Sequence, residues 1–441
     1  MNYSLNETIY ALSSGAGKAG VSVIRVSGKD VLNIFQTLTG IQNPKPRYAY
    51  FSKLINQQDV IIDHALCLYF QGPNSFTGED VAEFQVHGGR SVIESVFQAL
   101  SEFRNTRPAL AGEFSRRAVV NDKMDLTSAE GLMDLIDAQT EWQRRQALTQ
   151  MEGNLRVLYE EWRSHLVRDM AYLEAFIDFP EEEIPAEKMD LIDQGIQDLI
   201  GKIETHLNDN KKGQRLRDGF QIAIIGQPNV GKSSLINLLS ERDVAIVSSQ
   251  AGTTRDVVES CLDIEGFPVV LADTAGLREN AEEIEAEGIK RAVRRAESSD
   301  LILHICDAAN YPNIDELPEN LKDIPRLTVF NKIDTLKTRP VEKDLFISAK
   351  TKEGFQQLQK EIASFLTAHF SPDSTGAITR QRYRTALQDC LISLKSALLV
   401  DELELKAEDL RLAARALGRI VGKIETEELL DIVFKDFCIG K

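Results

Sequence analysis

Gly226-Gln227-Pro228-Asn229-Val230-Gly231-Lys232-Ser233, reached through the apolar run Gln221-Ile222-Ala223-Ile224-Ile225, is the stretch that decides the fold. A buried strand that breaks into G-x-x-x-x-G-K-S is the phosphate-binding loop of a nucleotide hydrolase or switch. Its glycines let successive backbone N–H groups turn inward onto phosphate oxygens. Lys232 is expected at the β- and γ-phosphates, and the Ser233 hydroxyl on Mg²⁺. Ser234-Leu235-Ile236-Asn237-Leu238-Leu239 then has helical spacing, with its N-terminus toward the anion. Taken alone, the motif is also compatible with an ordinary Gly-rich turn.

The downstream motifs dispose of that alternative. Pro268-Val269-Val270-Leu271-Ala272 reads as a strand ending in Asp273-Thr274-Ala275-Gly276. There Asp273 is expected to hold Mg²⁺ through water, and the Gly276 N–H to meet the γ-phosphate. Asn331-Lys332-Ile333-Asp334 follows the run Leu327 to Phe330, and Ser348-Ala349-Lys350 follows Leu345 to Ile347. Motifs that each end an apolar run fit ligand binding at the carboxyl edge of a parallel sheet. Asp334 selects the base. A carboxylate accepts from both N1–H and N2–H₂ of guanine, whereas adenine offers neither donor. The expected ligand is GTP. Gly252-Thr253-Thr254-Arg255-Asp256 occupies the place of a first switch, with Thr254 set to contact Mg²⁺ and the γ-phosphate. The position after D-x-x-G is Leu277, which cannot orient water as a glutamine does, so either catalysis is poor or another group supplies the base and the positive charge.

The totals bound the rest. At 441 residues the chain exceeds one core and implies roughly two to four domains. Apolar and charged shares of 43% and 27% are those of a globular chain, and a net charge of −17 excludes coating nucleic acid through bulk positive charge. Cys67, Cys261, Cys306, Cys390 and Cys438 are scattered, odd in number and never spaced as C-x-x-C, which fits reduced thiols without a disulfide framework or zinc site. No leader pattern opens the sequence and no apolar run approaches membrane-spanning length, so the expected location is the cytoplasm, with no membrane partner.

The fold class expected is multidomain. Residues 1–119 alternate like strands around a turn-rich Gly72 to Asp80 and a helical Val92 to Phe103, an α+β domain. Residues 120–215 are helical: Leu155, Leu158, Trp162, Leu166, Met170, Leu173 and Ile177 step by three or four. Residues 216–372 form an α/β P-loop (Ras-like) domain. Residues 373–441 return to helix, with stripes at Leu387, Leu391, Leu394, Leu398 and at Leu410, Ala413, Leu417, Ile420, Ile424. The two helical segments are expected to form one bundle into which the nucleotide domain is inserted. Arg380, Arg382 and Arg384 around Tyr383, and Arg411, Arg415 and Arg419 on one helical face, offer phosphate contacts; pairing with Glu402, Glu404 and Glu408 is the preferred reading.

Gln227 to Ser233, Gly252 to Asp256 and Asp273-Thr274-Ala275-Gly276-Leu277-Arg278 resemble translation-related bacterial GTPases. Gly72 to Glu83, Gly112-Glu113-Phe114-Ser115-Arg116-Arg117-Ala118, Asn121-Asp122-Lys123-Met124-Asp125-Leu126 and the terminal Phe437-Cys438-Ile439-Gly440-Lys441 narrow this. From end to end the chain resembles the MnmE (TrmE) family of tRNA-modification GTPases. The resemblance implies a homodimer joined through folate-binding-like N-terminal domains, with K⁺-stimulated hydrolysis when the nucleotide domains pair. It places K⁺ at Asn229, Ser248, Gln250 and Thr253, and GTP contacts along Ser248-Ser249-Gln250-Ala251-Gly252-Thr253-Thr254. It assigns the water-positioning carboxylate to Glu285, three residues before Gly288. It places 5-formyl- or 5,10-methylene-tetrahydrofolate at Arg25, Glu83, Lys123 and Lys441, beside a thiol, Cys438, that is a candidate for chemistry. It further implies a flavin-containing partner (MnmG, also called GidA) carrying FAD, a heterotetramer with it, and modification of C5 of the tRNA wobble uridine. Rival expectations are a ribosome-assembly or regulatory GTPase without modifying chemistry, and a scaffold whose nucleotide never turns over.

Overall fold

The computed structural model describes residues 6–179, 186–209, 211–242, 261–271, 296–338, 344–370 and 377–423, together with Leu430, Val433, Phe434, Phe437, Cys438 and Gly440. These divide into two units by packing: residues 1–133, 151–183 and 399–441 in one, and 134–150 with 184–398 in the other.

The first unit is built on a six-stranded sheet of order β3-β4-β5-β2-β1-β6. Its strands are β1 (Thr8–Leu12), β2 (Ala19–Ser27), β3 (Tyr50–Ile55), β4 (Ile61–Phe70), β5 (Val81–Gly88) and β6 (Thr106–Pro108). All neighbours are antiparallel except β1 with β6. The two-residue period sends Ile24, Val26, Ala82, Phe84 and Val86 into one core, which the helices Val31–Thr39 and Arg90–Ser101 cover. The same period sends Arg25 and Glu83 to the opposite face, directly across from one another in register. Ile9, Ala11, Ala109 and Phe114 form a second, smaller core. The helices Asn154–Asp178 and Leu403–Val421 pack together here, and Leu155, Trp162, Leu166 and Leu173 of the first and Leu410, Ala413, Leu417 and Ile420 of the second are buried.

The second unit carries a six-stranded sheet of order β12-β11-β10-β7-β9-β8. Its strands are β7 (Phe220–Ile225), β8 (Cys261–Ile264), β9 (Phe267–Leu271), β10 (Leu301–Asp307), β11 (Arg326–Asn331) and β12 (Leu345–Phe346). Every pairing is parallel except the β8–β9 hairpin. Near-continuous apolar runs such as Leu301-Ile302-Leu303 suit strands buried on both faces. The chain moves from β7 toward β9 on one side and begins again at β10 on the other. The β7–β10 junction is therefore the point at which strand order reverses, where open sheets bind ligands. Helices Lys232–Arg242 and Phe355–Phe370 complete the core. The helix Ala186–Leu207 packs with Gln381–Ala397, pairing a segment before the nucleotide domain with one after it. Both units thus contain helix pairs drawn from the two separated segments, as expected of a bundle interrupted by an insertion.

Candidate functional site

The phosphate loop leaves β7 and passes into the helix Lys232–Arg242. A Cβ at Gly226 would run into the Ile305 carbonyl of β10, so the loop can lie this close to the sheet only with glycine there. Gly231 adopts φ +99°, and a Cβ on it would fall on the Asn331 amide. Lys232 Nζ donates to the Gly226 and Gln227 carbonyls at 2.8 and 2.7 Å, and burial holds its ammonium below the usual lysine range. Val230 is buried, whereas Asn229, Ser233 and Ser234 are exposed on the loop's rim. Asn229 has a φ of +64°, a backbone region that asparagine tolerates better than most residues.

The base-reading loops are tied to this cradle by one side chain. Asn331 is buried; its Nδ2 donates to the Val230 carbonyl at 2.8 Å and its Oδ1 accepts from the Ala349 N–H at 2.9 Å. Ser348 Oγ donates to Asp334 Oδ1 at 2.6 Å and accepts from the Thr351 N–H at 3.0 Å, which fixes an exposed carboxylate in one orientation. Lys332 Nζ pairs with Asp307 Oδ2 at 2.8 Å. Burial alone would raise the Asp307 carboxyl, but the Lys332 and Ala309 hydrogen bonds hold it below the usual range. The structure therefore brings Asn229 to Ser234, Asn331, Lys332, Asp334, Ser348, Ala349 and Lys350 to one sheet edge.

In the N-terminal sheet, Arg25 Nε and Nη2 donate to Glu83 Oε1 at 2.9 and 2.8 Å, and both side chains are partly buried. The Arg25 guanidinium lies 5.3 Å from the Phe76 ring centre and 5.9 Å from that of Phe114. Lys123 lies against Gly78, on the same turn as Phe76; its Cε is 3.2 Å from where a Gly78 Cβ would stand. Exposed Cys438 offers its carbonyl to the Gly112 N–H at 3.3 Å, and the Gly440 carbonyl accepts from Ser13 Oγ at 2.8 Å.

Family models describe the same chain twice over: one for the MnmE helical domain matches residues 126–438, and one for the GTP-binding protein TrmE N-terminus matches residues 8–123. The tRNA modification GTPase MnmE of Paramagnetospirillum magneticum is 47% identical over 445 residues, covering 99% of this chain and all of that protein. That of Parvibaculum lavamentivorans is 48% identical over 442 residues, with 99% and 100% covered. The chain belongs to the MnmE family. It is a GTP hydrolase. A variant of Aquifex aeolicus Era bound to GDP·AlF₄⁻ is 27% identical over 41% of this chain and 68% of its own, at a TM-score of 0.26 that carries no weight.

Several residues expected to serve MnmE chemistry lie outside the described residues: Ser248, Ser249, Gln250, Ala251, Gly252, Thr253, Thr254, Asp273, Thr274, Ala275, Gly276, Glu285 and Lys441. Of the arginines, Arg384 pairs with Asp209, Arg380 with Asp134, and Arg411 with Glu174 and Glu408. Those pairings support the intramolecular reading, and Glu408 is among the acidic partners expected.

Sequence reasoning passed over a charged network under the turn that bears Phe76. Fully buried Arg117 pairs with Glu79 at 2.9 Å and with Glu113 at 3.1 Å, and Arg107 joins Glu113 at 2.7 Å. Glu79 also accepts from Ser27 Oγ at 2.7 Å, so the network ties the turn to β2 beside Arg25. Burial would raise the Glu113 carboxyl, but hydrogen bonds from Arg107 and the Leu110 N–H, with the Arg117 charge, hold it below the usual range. No local motif announces this set, because its members come from four separate stretches. No helix among the described residues is long and apolar enough to cross a membrane.

Proposed function

We propose that this MnmE-family GTPase acts on tRNA, installing an aminomethyl or carboxymethylaminomethyl group at C5 of the wobble uridine. It would do so as a homodimer, in the cytoplasm, with a flavin-containing MnmG/GidA partner that carries FAD and completes a heterotetramer. The domain plan behind this reading is 1–119 for folate binding and dimerisation, 120–215 and 373–441 for the helical bundle, and 216–372 for GTP. The single observation that supports it most is Asn331 joining the phosphate loop to the guanine-reading loops. That bond fixes the distance between the two ends of one nucleotide.

The cradle suits a Mg²⁺–triphosphate. Its backbone is turned in by Gly226 and Gly231, and the exposed Ser233 hydroxyl begins the helix that faces the anion. Ser233 and Thr254 would hold Mg²⁺, with Asp273 behind it through water. The ion, when bound, offsets charge on the β- and γ-oxygens. Asn229, with Ser248, Gln250 and Thr253, would hold K⁺, and its rim position on the loop is compatible with an ion beside the phosphates. A monovalent cation there supplies the positive charge that other GTPases take from an arginine finger. Asp334, oriented by Ser348, accepts from guanine, and Lys232 contacts the phosphates. Glu285 orients water for attack on the γ-phosphate.

For the one-carbon donor, the Arg25–Glu83 pair, with the Arg25 guanidinium beside the Phe76 and Phe114 rings, suits a flat, polar heterocycle. Glu83 would accept from the pterin N–H and 2-amino groups, and Arg25, Lys123 and Lys441 would meet ring oxygens or the glutamate tail. Cys438 would stand beside it as nucleophile or acid. A tetrahydrofolate, when bound, supplies the carbon unit. GTP turnover rearranges the modification centre and is not itself the carbon chemistry.

Glu285→Ala is expected to keep GTP affinity and lower turnover by about 10²-fold or more, the scale of a positioned catalytic group; wild-type turnover rejects that role. Turnover in K⁺ buffer should exceed that in Na⁺ buffer, and equal rates remove the K⁺ assignment. Titration calorimetry with 5-formyltetrahydrofolate separates the modification reading from a ribosome-assembly switch, which has no use for a pterin site.

A further inference from the structure

The β8–β9 hairpin is continuous in sequence with Thr254 on one side and Asp273 on the other, so it links the two stretches expected to sense the γ-phosphate. Its turn is held by a residue from far upstream. The Trp142 backbone N–H donates to the Gly266 carbonyl at 3.2 Å. The Trp142 ring stacks on Phe267, with centres 5.3 Å apart and planes 24° apart. Phe267 in turn meets Phe220 edge-on at 5.9 Å, and Phe220 opens the strand that ends in the phosphate loop. Gly266 has φ +88°, and a Cβ there would come within 3.1 Å of Trp142 Cδ1, so the turn allows this approach only with glycine. The Arg145 guanidinium lies over the indole at 5.4 Å from its centre. Among the described residues of the nucleotide domain's main core, Trp142 alone comes from outside 216–372.

The helix bearing Trp142, Glu141–Met151, is anchored elsewhere too. Gln143 Nε2 donates to the Arg217 carbonyl at 3.0 Å, just before β7. Gln150 Nε2 donates to the Tyr383 hydroxyl at 3.3 Å and Gln150 Oε1 accepts from Thr379 Oγ1 at 3.0 Å, where the chain leaves the nucleotide domain. Just upstream of this helix, Asp134 accepts from Arg380 at 2.8 Å and lies 3.3 Å from Arg217, touching both crossings of the chain. A tryptophan packed only for stability needs no particular partner. This one sits on the one hairpin that joins the two switch stretches, on a helix bonded to both ends of the insertion.

We infer that Trp142 is a positioning residue that passes the nucleotide-dependent placement of the β8–β9 hairpin to the helix Glu141–Met151, and through Gln150 to the helix Gln381–Ala397. A shift of either flanking stretch moves the hairpin, and the stacked indole carries that shift into the helical part. The inference rests on GTP hydrolysis by this chain and not on the identity of the carbon donor or of the flavin partner.

The chain has two tryptophans, Trp142 and Trp162, so the full-length W162F variant reports from Trp142 alone. Its emission is to be compared with Mg²⁺–GDP and with GDP plus aluminium fluoride in K⁺ buffer, nucleotide binding being checked in parallel with a fluorescent analogue. The expected result is a change of intensity or wavelength between the two states, absent from the W142F/W162F double variant. Identical spectra with nucleotide bound in both states overturn the inference, whatever happens to tRNA. In a second arm, W142L should keep GTP turnover within about threefold while the tRNA-modification rate falls by about five- to a hundred-fold, the range of a coupling between two sites. W142F, which retains a stacking ring, should restore most of it. Wild-type modification by W142L, or loss of nucleotide binding by W142L, overturns the inference. Absence of modification by the wild-type chain would instead sink the proposed function and leave the fluorescence arm standing.

Discussion

Among the described residues of the nucleotide domain the site-bearing loops leave the carboxyl ends of parallel strands, whereas in the N-terminal domain the candidate pair stands in mid-strand on one face of an antiparallel sheet. The first arrangement works through backbone. Gly226 and Gly231 are there because a Cβ would strike β10 or Asn331, so the chemistry appears in the sequence as fixed residues at fixed spacing. The second works through side chains from β2 and β5, Arg25 and Glu83, that become neighbours only through register. Function written in backbone geometry is local in sequence, while function written across strands is not. The two regions should therefore fail differently when altered.

The largest effect belongs to the guanine-reading side. Asp334→Asn turns one charge-assisted acceptor into a donor and the other into a neutral acceptor, which, at about 1.5–3 kcal/mol for a charge-assisted bond, should raise the Kd for GTP by about 10²-fold or more. The amide presents one donor, which matches the 2-oxo group of xanthine, so affinity should move from GTP toward XTP. Retention of guanine preference by D334N would falsify the assignment of Asp334 to the base.

Next comes the buried network of the N-terminal domain. Arg117→Met leaves Glu113 and Glu79 without their shared, fully buried partner, and breaking such a pair costs about 3–5 kcal/mol. Calorimetry of the full chain should show one transition shifted down, with GTP turnover per folded molecule unchanged. If R117M unfolds as wild type does, the network contributes nothing to stability. If turnover drops as well, the contrast between the two regions is lost.

This contrast also explains what could be read beforehand. The order of the nucleotide motifs, the helical stripes and the insertion between them were legible, because each rests on a period or a short spacing. Of the stripe Leu410, Ala413, Leu417, Ile420 and Ile424, the first four are buried as the spacing predicts, and Ile424 lies outside the described residues. Arg25 and Glu83 alternate correctly within their own strands, but nothing local pairs them; family resemblance alone marked them. Glu79 and Arg117 fall within stretches that mark the family, but their pairing, and that of Arg107 with Glu113, was not legible, and Trp142 reads as one more apolar residue until the hairpin it covers is known. Such contacts depend on tertiary approach, which no single window of sequence contains.

Acid sharpens the comparison at a smaller scale. The Glu113 carboxyl is held below its ordinary value in the folded chain, so between the folded and unfolded values the unfolded chain binds the extra proton. Its contribution is therefore fully present above the unfolded value, near pH 4.3 for a free glutamate, and is lost as pH falls through the folded one. The N-terminal transition should weaken on acidification below about pH 4.5, and in Glu113→Gln that part of the slope should flatten. An unchanged slope in E113Q means another carboxylate governs acid unfolding.

The smallest effect is expected where charges are exposed. Arg411 pairs with Glu174 at 2.9 Å across the two packed helices and also touches Glu408, but its side chain is 41% accessible and water screens both bonds. Its acidic neighbours raise its affinity for a proton while leaving the cation unable to gain much from either, since solvent already does the same work. Arg411→Ala should leave the melting profile unchanged within error, unlike Arg117→Met, although both remove an arginine with two carboxylate partners. It also tests the surface as a tRNA contact. A phosphate-bound cation contributes about one unit to the slope of log affinity against log salt, whereas one already engaged by Glu174 and Glu408 contributes none. An unchanged slope in R411A keeps this arginine within the protein's own ion pairs; a slope reduced by about one would move it, and the helical face it stands on, into the RNA-binding surface.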